Sequence, residues 1–362
     1  MDSTSRRDFL ASAAVLSASA FIAPAWARRR AGLDQETGVL GHGDHRFRVV
    51  KGWGSEGAQR IKVRDCHEMV QVRDGRLFMF GNHTDNNMLI FSKDGRVLDT
   101  WGSDYPGGHG CTLHDENGEE FLYLTDPDLH RVVKTDLTGR VLLTLDAPLE
   151  SDQYETADRY KPTETAIAPN GDIYVADGYG SQYLLHYSPA GELKGIYAGP
   201  GAGEPGAEHT FNNMHGVTLD TRDASNPTLL LTARAQNRFK RFSLKGEHLS
   251  TVELPGAWIC RGVIDRDLLM FAVIISGLES WQSDRSGFVA ILDADDRVIS
   301  CPGGADPTYA GDTLNPLAQT PSAEGDLPAF MHPHDVCADR DGNLYIPQWA
   351  SDQTFPVKLE RL

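Results

Sequence analysis

The stretch Asn213-Met-His-Gly-Val-Thr-Leu-Asp decides the architecture, because the chain repeats it. Five other segments align with it: Asp65-Cys-His-Glu-Met-Val-Gln-Val, Gly107-Gly-His-Gly-Cys-Thr-Leu-His, Lys161-Pro-Thr-Glu-Thr-Ala-Ile-Ala, Ile259-Cys-Arg-Gly-Val-Ile-Asp-Arg and His332-Pro-His-Asp-Val-Cys-Ala-Asp. An apolar strand follows each one, as in Leu77-Phe-Met-Phe, Phe121-Leu-Tyr-Leu or Leu344-Tyr-Ile-Pro. A third strand then runs into a glycine turn, as in Met88-Leu-Ile-Phe-Ser-Lys-Asp-Gly and Val132-Val-Lys-Thr-Asp-Leu-Thr-Gly. Arg96-Val-Leu-Asp-Thr-Trp-Gly is a fourth. Glycine supplies the positive φ that such tight hairpins need. Four short strands recurring at about 40–55 residues form a β-propeller blade. The sequence therefore predicts an all-β, six-bladed β-propeller.

A propeller must close its ring or leave two open sheet edges. The sixth unit shows only three strands before the chain finishes at Phe355-Pro-Val-Lys-Leu-Glu-Arg-Leu, while Phe47-Arg-Val-Val-Lys-Gly-Trp-Gly resembles a fourth strand that precedes the first unit. The N-terminal strand is thus expected to complete the last blade, giving a propeller over residues 46–362 after an extension over 28–45. Residues 302–330, rich in Pro, Gly and Ala, read as an inserted loop. Upstream, Ser5-Arg-Arg-Asp-Phe-Leu, an apolar run to Ile22 and then Ala25-Trp-Ala look like a twin-arginine export signal, over residues 1–27, with cleavage after Ala27. That run is shorter than the roughly 20 residues a spanning helix needs. The expected location is periplasmic or secreted, with no membrane association after cleavage.

A net charge of −17 argues against nucleic acid or anionic lipid as partners. We expect a monomer. The five cysteines, Cys66, Cys111, Cys260, Cys301 and Cys337, include no C-x-x-C pair. An oxidising compartment permits a disulfide, but the pairing cannot be read from sequence and buried free thiols serve equally well.

The third position of the six segments reads His67, His109, Thr163, His215, Arg261, His334. Equivalent positions in a cyclic repeat converge on one axis, so this is a ring of side chains around a point. His109, His215 and His334 come from alternate units, in the contexts Gly-His-Gly, Met-His-Gly and Pro-His-Asp. Three imidazoles so arranged suit a zinc ion with one coordination position left open. Iron, cobalt and copper accept the same donors. Taken singly, a histidine that starts an inner strand is more often satisfied by a backbone carbonyl; three in matching places point the other way.

Pro162-Thr-Glu-Thr-Ala-Ile-Ala, Val175-Ala-Asp-Gly-Tyr-Gly, Met214-His-Gly-Val-Thr-Leu, Ala233-Arg-Ala-Gln-Asn-Arg and Pro333-His-Asp-Val resemble, in order, motifs of the lyase domain of peptidylglycine α-amidating monooxygenase. That domain is a six-bladed propeller of NHL type, and the likeness covers most of residues 65–362. The resemblance implies His109, His215 and His334 as zinc ligands, Tyr179 in proton transfer and Arg234 at the active site. It also implies a structural calcium near the axis, held by Asp335 and the backbone carbonyl of Cys111. Two departures stand out. The family's first-blade arginine has no counterpart in Phe80-Gly-Asn-His-Thr-Asp, and His67, His83 and Arg261 are extra.

Two functions follow as expectations. The first is a secreted metal-dependent lyase acting on a small-molecule or peptide substrate by C–N cleavage of a hemiaminal, or a hydrolase using zinc-bound water. The second is a non-enzymatic propeller that binds a peptide, glycan or protein, its metals being structural.

Overall fold

The computed structural model describes residues 38–54, 57, 60–202, 207–275, 286–321, 329–349 and 355–362. The expected export signal and most of the extension, through residue 37, lie outside them. Among the described residues no helix is long and apolar enough to cross a membrane.

Six antiparallel sheets form the ring. Blade 1 runs Cys66–Gln71, Leu77–Gly81, Met88–Phe91 and Val97–Trp101 from axis to rim. Blades 2 to 5 start at Cys111–Glu116, Glu164–Ile167, Met214–Asp220 and Trp258–Asp265 and follow the same order. The turn glycines of blades 1 to 4, Gly95, Gly139, Gly191 and Gly246, have φ between 81° and 91°, as the hairpins require.

Blade 6 closes the ring. Its strands Cys337–Ala338, Leu344–Ile346 and Val357–Arg361 are continued by the N-terminal strand His45–Val50, with Val49 opposite Leu359. A further strand, Val39–His42, pairs outside it, so this blade has five strands. That fifth strand starts inside the stretch expected to be extension. A two-residue turn, Gly43-Asp44, folds it back with His42 opposite His45. In the segment expected to be a loop, the described part includes a short hairpin, Tyr309–Ala310 with Thr313–Leu314.

The core lies between blades. Phe78 and Phe80 of blade 1 pack on Leu122, Leu124 and Val133 of blade 2; Leu230 and Phe239 of blade 4 pack on Phe271 and Phe288 of blade 5; Tyr345 of blade 6 packs on Trp53, Met79 and Phe91. Similar layers fill the other junctions. Near-continuous apolar second strands such as Leu268–Ile275 are buried on both faces, as a strand sandwiched between neighbouring sheets must be. Truncating Phe271 to Ala would cost about 3–5 kcal/mol at such a position. Because the apolar layers carry the ring, the axis is free to hold polar groups.

Candidate metal centre and catalytic cavity

Register shifts aim the axial residues. The ladder of blade 1 slips between Cys66 and Glu68, that of blade 4 between Met214 and Val217, and that of blade 5 between Ile259 and Gly262. His67, His215 and Arg261 sit in those slips, where a bulge re-aims a side chain away from the normal alternation. The four histidines converge. Ring centroids of His109, His215 and His334 are 4.7–4.9 Å apart, and His67 lies 4.8 Å from His109 and 4.7 Å from His334. Donor atoms of His67, His109 and His334 fall within 4.8 Å of one another, as do those of His215, Cys260 and His334.

Backbone carbonyls orient two of the rings. His109 Nδ1 donates to Thr163 O at 2.8 Å, and His334 Nδ1 donates to His67 O at 3.1 Å. Their Nε2 atoms therefore face the axis as lone pairs. Thr163, the one axial position without a nitrogen donor or charge, contributes through its carbonyl.

The set fits a metal ion. His67 Nδ1, His215 Nδ1 and His334 Nε2 are buried without a hydrogen-bond partner, and each such atom costs about 1–3 kcal/mol if left so. Burial holds all four imidazoles below their ordinary range, His67 down to about 4 and the others well below it, with the Arg234 charge acting in the same direction. Neutral imidazoles with orphaned nitrogens are what a borderline-soft divalent ion uses.

Tyr179 and Arg234 arrive from the ends of the second strands of blades 3 and 4. The Tyr179 hydroxyl lies 3.2 Å from His109 Nε2, 3.1 Å from His215 Nε2 and 3.5 Å from Arg234 Nη1. The residue as a whole is 39% exposed, but its hydroxyl is turned toward these groups, and burial raises its pKa while Arg234 opposes the rise. The loop has little freedom. Asp177 accepts from the backbone of Lys161 and Ser181 at 2.6 Å each and from the Tyr154 hydroxyl at 2.7 Å. Gly178 sits so close to blade 4 that a Cβ would lie 2.0 Å from Met214 O. Arg234, 3% exposed, is fixed on a 3-10 turn, Arg234–Gln236, with Nη2 3.2 Å from Cys260 Sγ.

A cavity of about 380 Å³ opens over this group, lined by His67, His109, His334, Tyr179 and Arg234, with Lys161 and Arg64 among the residues around it. His215, fully buried, stands behind the lining. His83 is elsewhere, its Nδ1 accepting from the backbone N–H of Asp85. All five cysteines are buried thiols rather than disulfides.

The oxygen set expected for calcium does not fit that ion, because the Arg261 guanidinium already lies among it. Nε and Nη2 of Arg261 hold Asp335 Oδ1 and Oδ2 at 2.8 and 2.9 Å; Nη1 reaches Cys111 O at 3.2 Å and Nη2 reaches Met69 O at 3.3 Å. Two carboxylates not anticipated from the sequence complete the cage, Glu68 at 3.1 Å and Glu164 at 3.5 Å from Nη1. The fourth position of the repeat was their signal. It reads Glu68, Gly110, Glu164, Gly216, Gly262, Asp335.

No model of a known protein family matches the chain. Curated relatives do match locally. A probable peptidyl-α-hydroxyglycine α-amidating lyase of Caenorhabditis elegans is 32% identical over 111 residues, 30% of this chain and 31% of that protein. Peptidyl-α-hydroxyglycine α-amidating lyase 1 of Drosophila melanogaster is 36% identical over 106 residues, 27% of this chain and 18% of that protein. The chain thus spans less than a third of the length of these relatives. Among solved structures, a gluconolactonase from Xanthomonas campestris aligns with a TM-score of 0.57 at 13% identity, over 91% of this chain and 94% of that one. A streptogramin B lyase aligns with a TM-score of 0.54 at 13% identity, over 83% and 95%. At that identity the two structures speak for the fold alone. The six blades make the chain a β-propeller, and about a third of it is similar to stretches of amidating lyases.

Proposed function

We propose that this chain is an exported, zinc-dependent lyase that cleaves the C–N bond of an N-acyl hemiaminal, an amide whose nitrogen carries a hydroxyl-bearing carbon, releasing an amide and leaving an aldehyde. One observation carries the reading: four buried imidazoles converge on the axis beside a tyrosine hydroxyl and an arginine, and three of them line one cavity with that pair. The local likeness to amidating lyases supports it. Export through the twin-arginine route, with cleavage after Ala27, belongs to the same proposal and rests on the N-terminal motif.

His109, His215 and His334 are the proposed ligands, with His67 as an additional imidazole on the same axis. A zinc ion held there would supply Lewis acidity that makes a nearby hydroxyl easier to deprotonate. The protein's own groups do the rest. Arg234 stabilises negative charge on the Tyr179 oxygen, and that oxygen accepts the proton of the substrate hydroxyl. As the carbonyl forms and the C–N bond breaks, the same proton passes to the departing amide nitrogen, so the reaction balances without a co-reactant. Arg64 and Lys161 near the cavity suit a substrate carrying a carboxylate.

The test is metal analysis of the mature protein beside a His215→Ala variant, with turnover of α-hydroxyglycine-type amides. Simple esters and lactones serve as the arm for a hydrolase. A wild-type protein without a transition metal, or metal retained in full by His215→Ala, would overturn the reading.

A further inference from the structure

Below the histidines, the axis carries three buried carboxylates, Glu68, Glu164 and Asp335, each on the residue that follows an axial position, in blades 1, 3 and 6. Three carboxylates gathered around one point and largely removed from solvent repel one another unless a cation lies among them. Arg261 comes from blade 5 at the position that carries histidine in four other blades, yet it does not join them. Its guanidinium turns along the axis and makes bonds to Asp335, Cys111 O and Met69 O, with Glu68 and Glu164 alongside. Blade 4 leaves room for this course: a Cβ on Gly216 would lie 2.5 Å from Arg261 Cα. The carboxylates in turn hold the other blades, Glu68 accepting from Cys111 N at 2.6 Å and Asp335 from Met69 N at 3.0 Å. Five blades are therefore linked through one planar cation. One oxygen, Glu164 Oε2, remains buried without a hydrogen bond, as expected where a cage of this many oxygens surrounds a fork of five donors rather than a spherical ion.

We propose that Arg261 is the resident cation of the lower axial cage, standing in the place of a calcium ion, and that removing its side chain converts the cage into a calcium site. Carboxylates and backbone carbonyls around a single point are a hard-oxygen donor set, and the guanidinium is the one group that keeps an ion out. The inference is independent of what binds to the histidines.

The experiment has two arms. Wild-type protein dialysed against calcium-free buffer should contain no calcium, counted separately from zinc, and added calcium should leave its melting temperature unchanged. Calcium at one equivalent per chain, or a melting temperature that rises with calcium, would overturn the proposal. Arg261→Ala should melt well below wild type, and calcium, far more than magnesium, should restore at least half of the loss. A variant as stable as wild type, or one that calcium fails to restore, would overturn it equally. If Arg261→Ala does not accumulate as folded protein, Arg261→Met takes its place, and the wild-type arm decides on its own.

Discussion

The two ends of the axial channel are built from neighbouring positions of one repeat, yet they end in opposite states. At the upper end the third repeat position delivers imidazoles, and several of their nitrogens have nothing to bind. At the lower end the fourth position delivers carboxylates, and a side chain of the protein itself serves them. The lower end behaves as a structural tie, complete without help; the upper end is a set of donors kept waiting. A cyclic repeat can thus hold both a rigid hub and a reactive opening close together, because neighbouring positions of the same segments feed the two layers.

The largest expected effect breaks the upper end. Replacing His109, His215 or His334 by Ala should remove the bound transition metal and turnover together. The melting temperature should change little beyond what metal loss explains, since the apolar layers between blades are untouched. Elemental analysis and a melting curve on the same samples check this; unfolding of all three variants would mean that the upper end is a hub as well. Next comes Tyr179→Phe, which deletes one hydroxyl. We expect turnover to fall on the order of 10²–10⁴-fold with metal content unchanged. A wild-type rate would remove Tyr179 from the chemistry. Arg234→Lys should also lose rate, because a point charge does not reproduce a planar fork. Gly178→Ala should follow more mildly: a Cβ pushing against Met214 O displaces the Tyr179 loop, so kcat falls while zinc stays bound. If kcat is kept, the loop is softer than its packing suggests.

The smallest effect sharpens the contrast with an ion network away from the axis. Asp220 bridges Arg222 and Arg241, and both arginines reach Asp296 of the next blade. Burial pushes the Asp220 carboxyl up, but the two guanidiniums prevail and hold it at about 2, below the ordinary 3.8. The folded state therefore binds this proton less readily than the unfolded chain does. Its stabilisation is present above pH 3.8 and disappears as pH falls through about 2. Asp220→Asn should melt below wild type at pH 7, and the gap should close in acid. A gap that persists at the lowest pH would assign the loss to packing rather than charge.

Much of this was legible in the chain. Six units, their turn glycines and the closure by the strand around Phe47 follow from a repeat and from the need to pair edges. The convergence of His109, His215 and His334 follows from the same cyclic logic. What escaped was direction. Arg261 occupies an axial position like the histidines, and only the register slip between Ile259 and Gly262 shows that its side chain turns along the axis instead of facing the cavity. Glu68 and Glu164 stand one residue away from residues that were singled out, but strand alternation gives no warning that a bulge brings Glu68 onto the axis or that Glu164, in a ladder without a bulge, meets it there. The strand Val39–His42 escaped because four letters with two glycine-containing turns around them carry no periodicity.

The closure of the last blade also sets a timetable. Val49 pairs with Leu359 and Phe47 with Arg361, across nearly the whole chain. During synthesis the His45–Val50 strand emerges early with Val39–His42 on one edge, and its other edge has no partner until Val357–Arg361 follows, roughly three hundred residues later. At about 5–20 residues per second, that inner edge stays open for some tens of seconds while five other blades assemble from contacts within each unit. Such distant pairing is slow in folding as well. The ring is therefore latched last, and a nascent chain that stalls before the final strand presents an open edge to which another chain can pair.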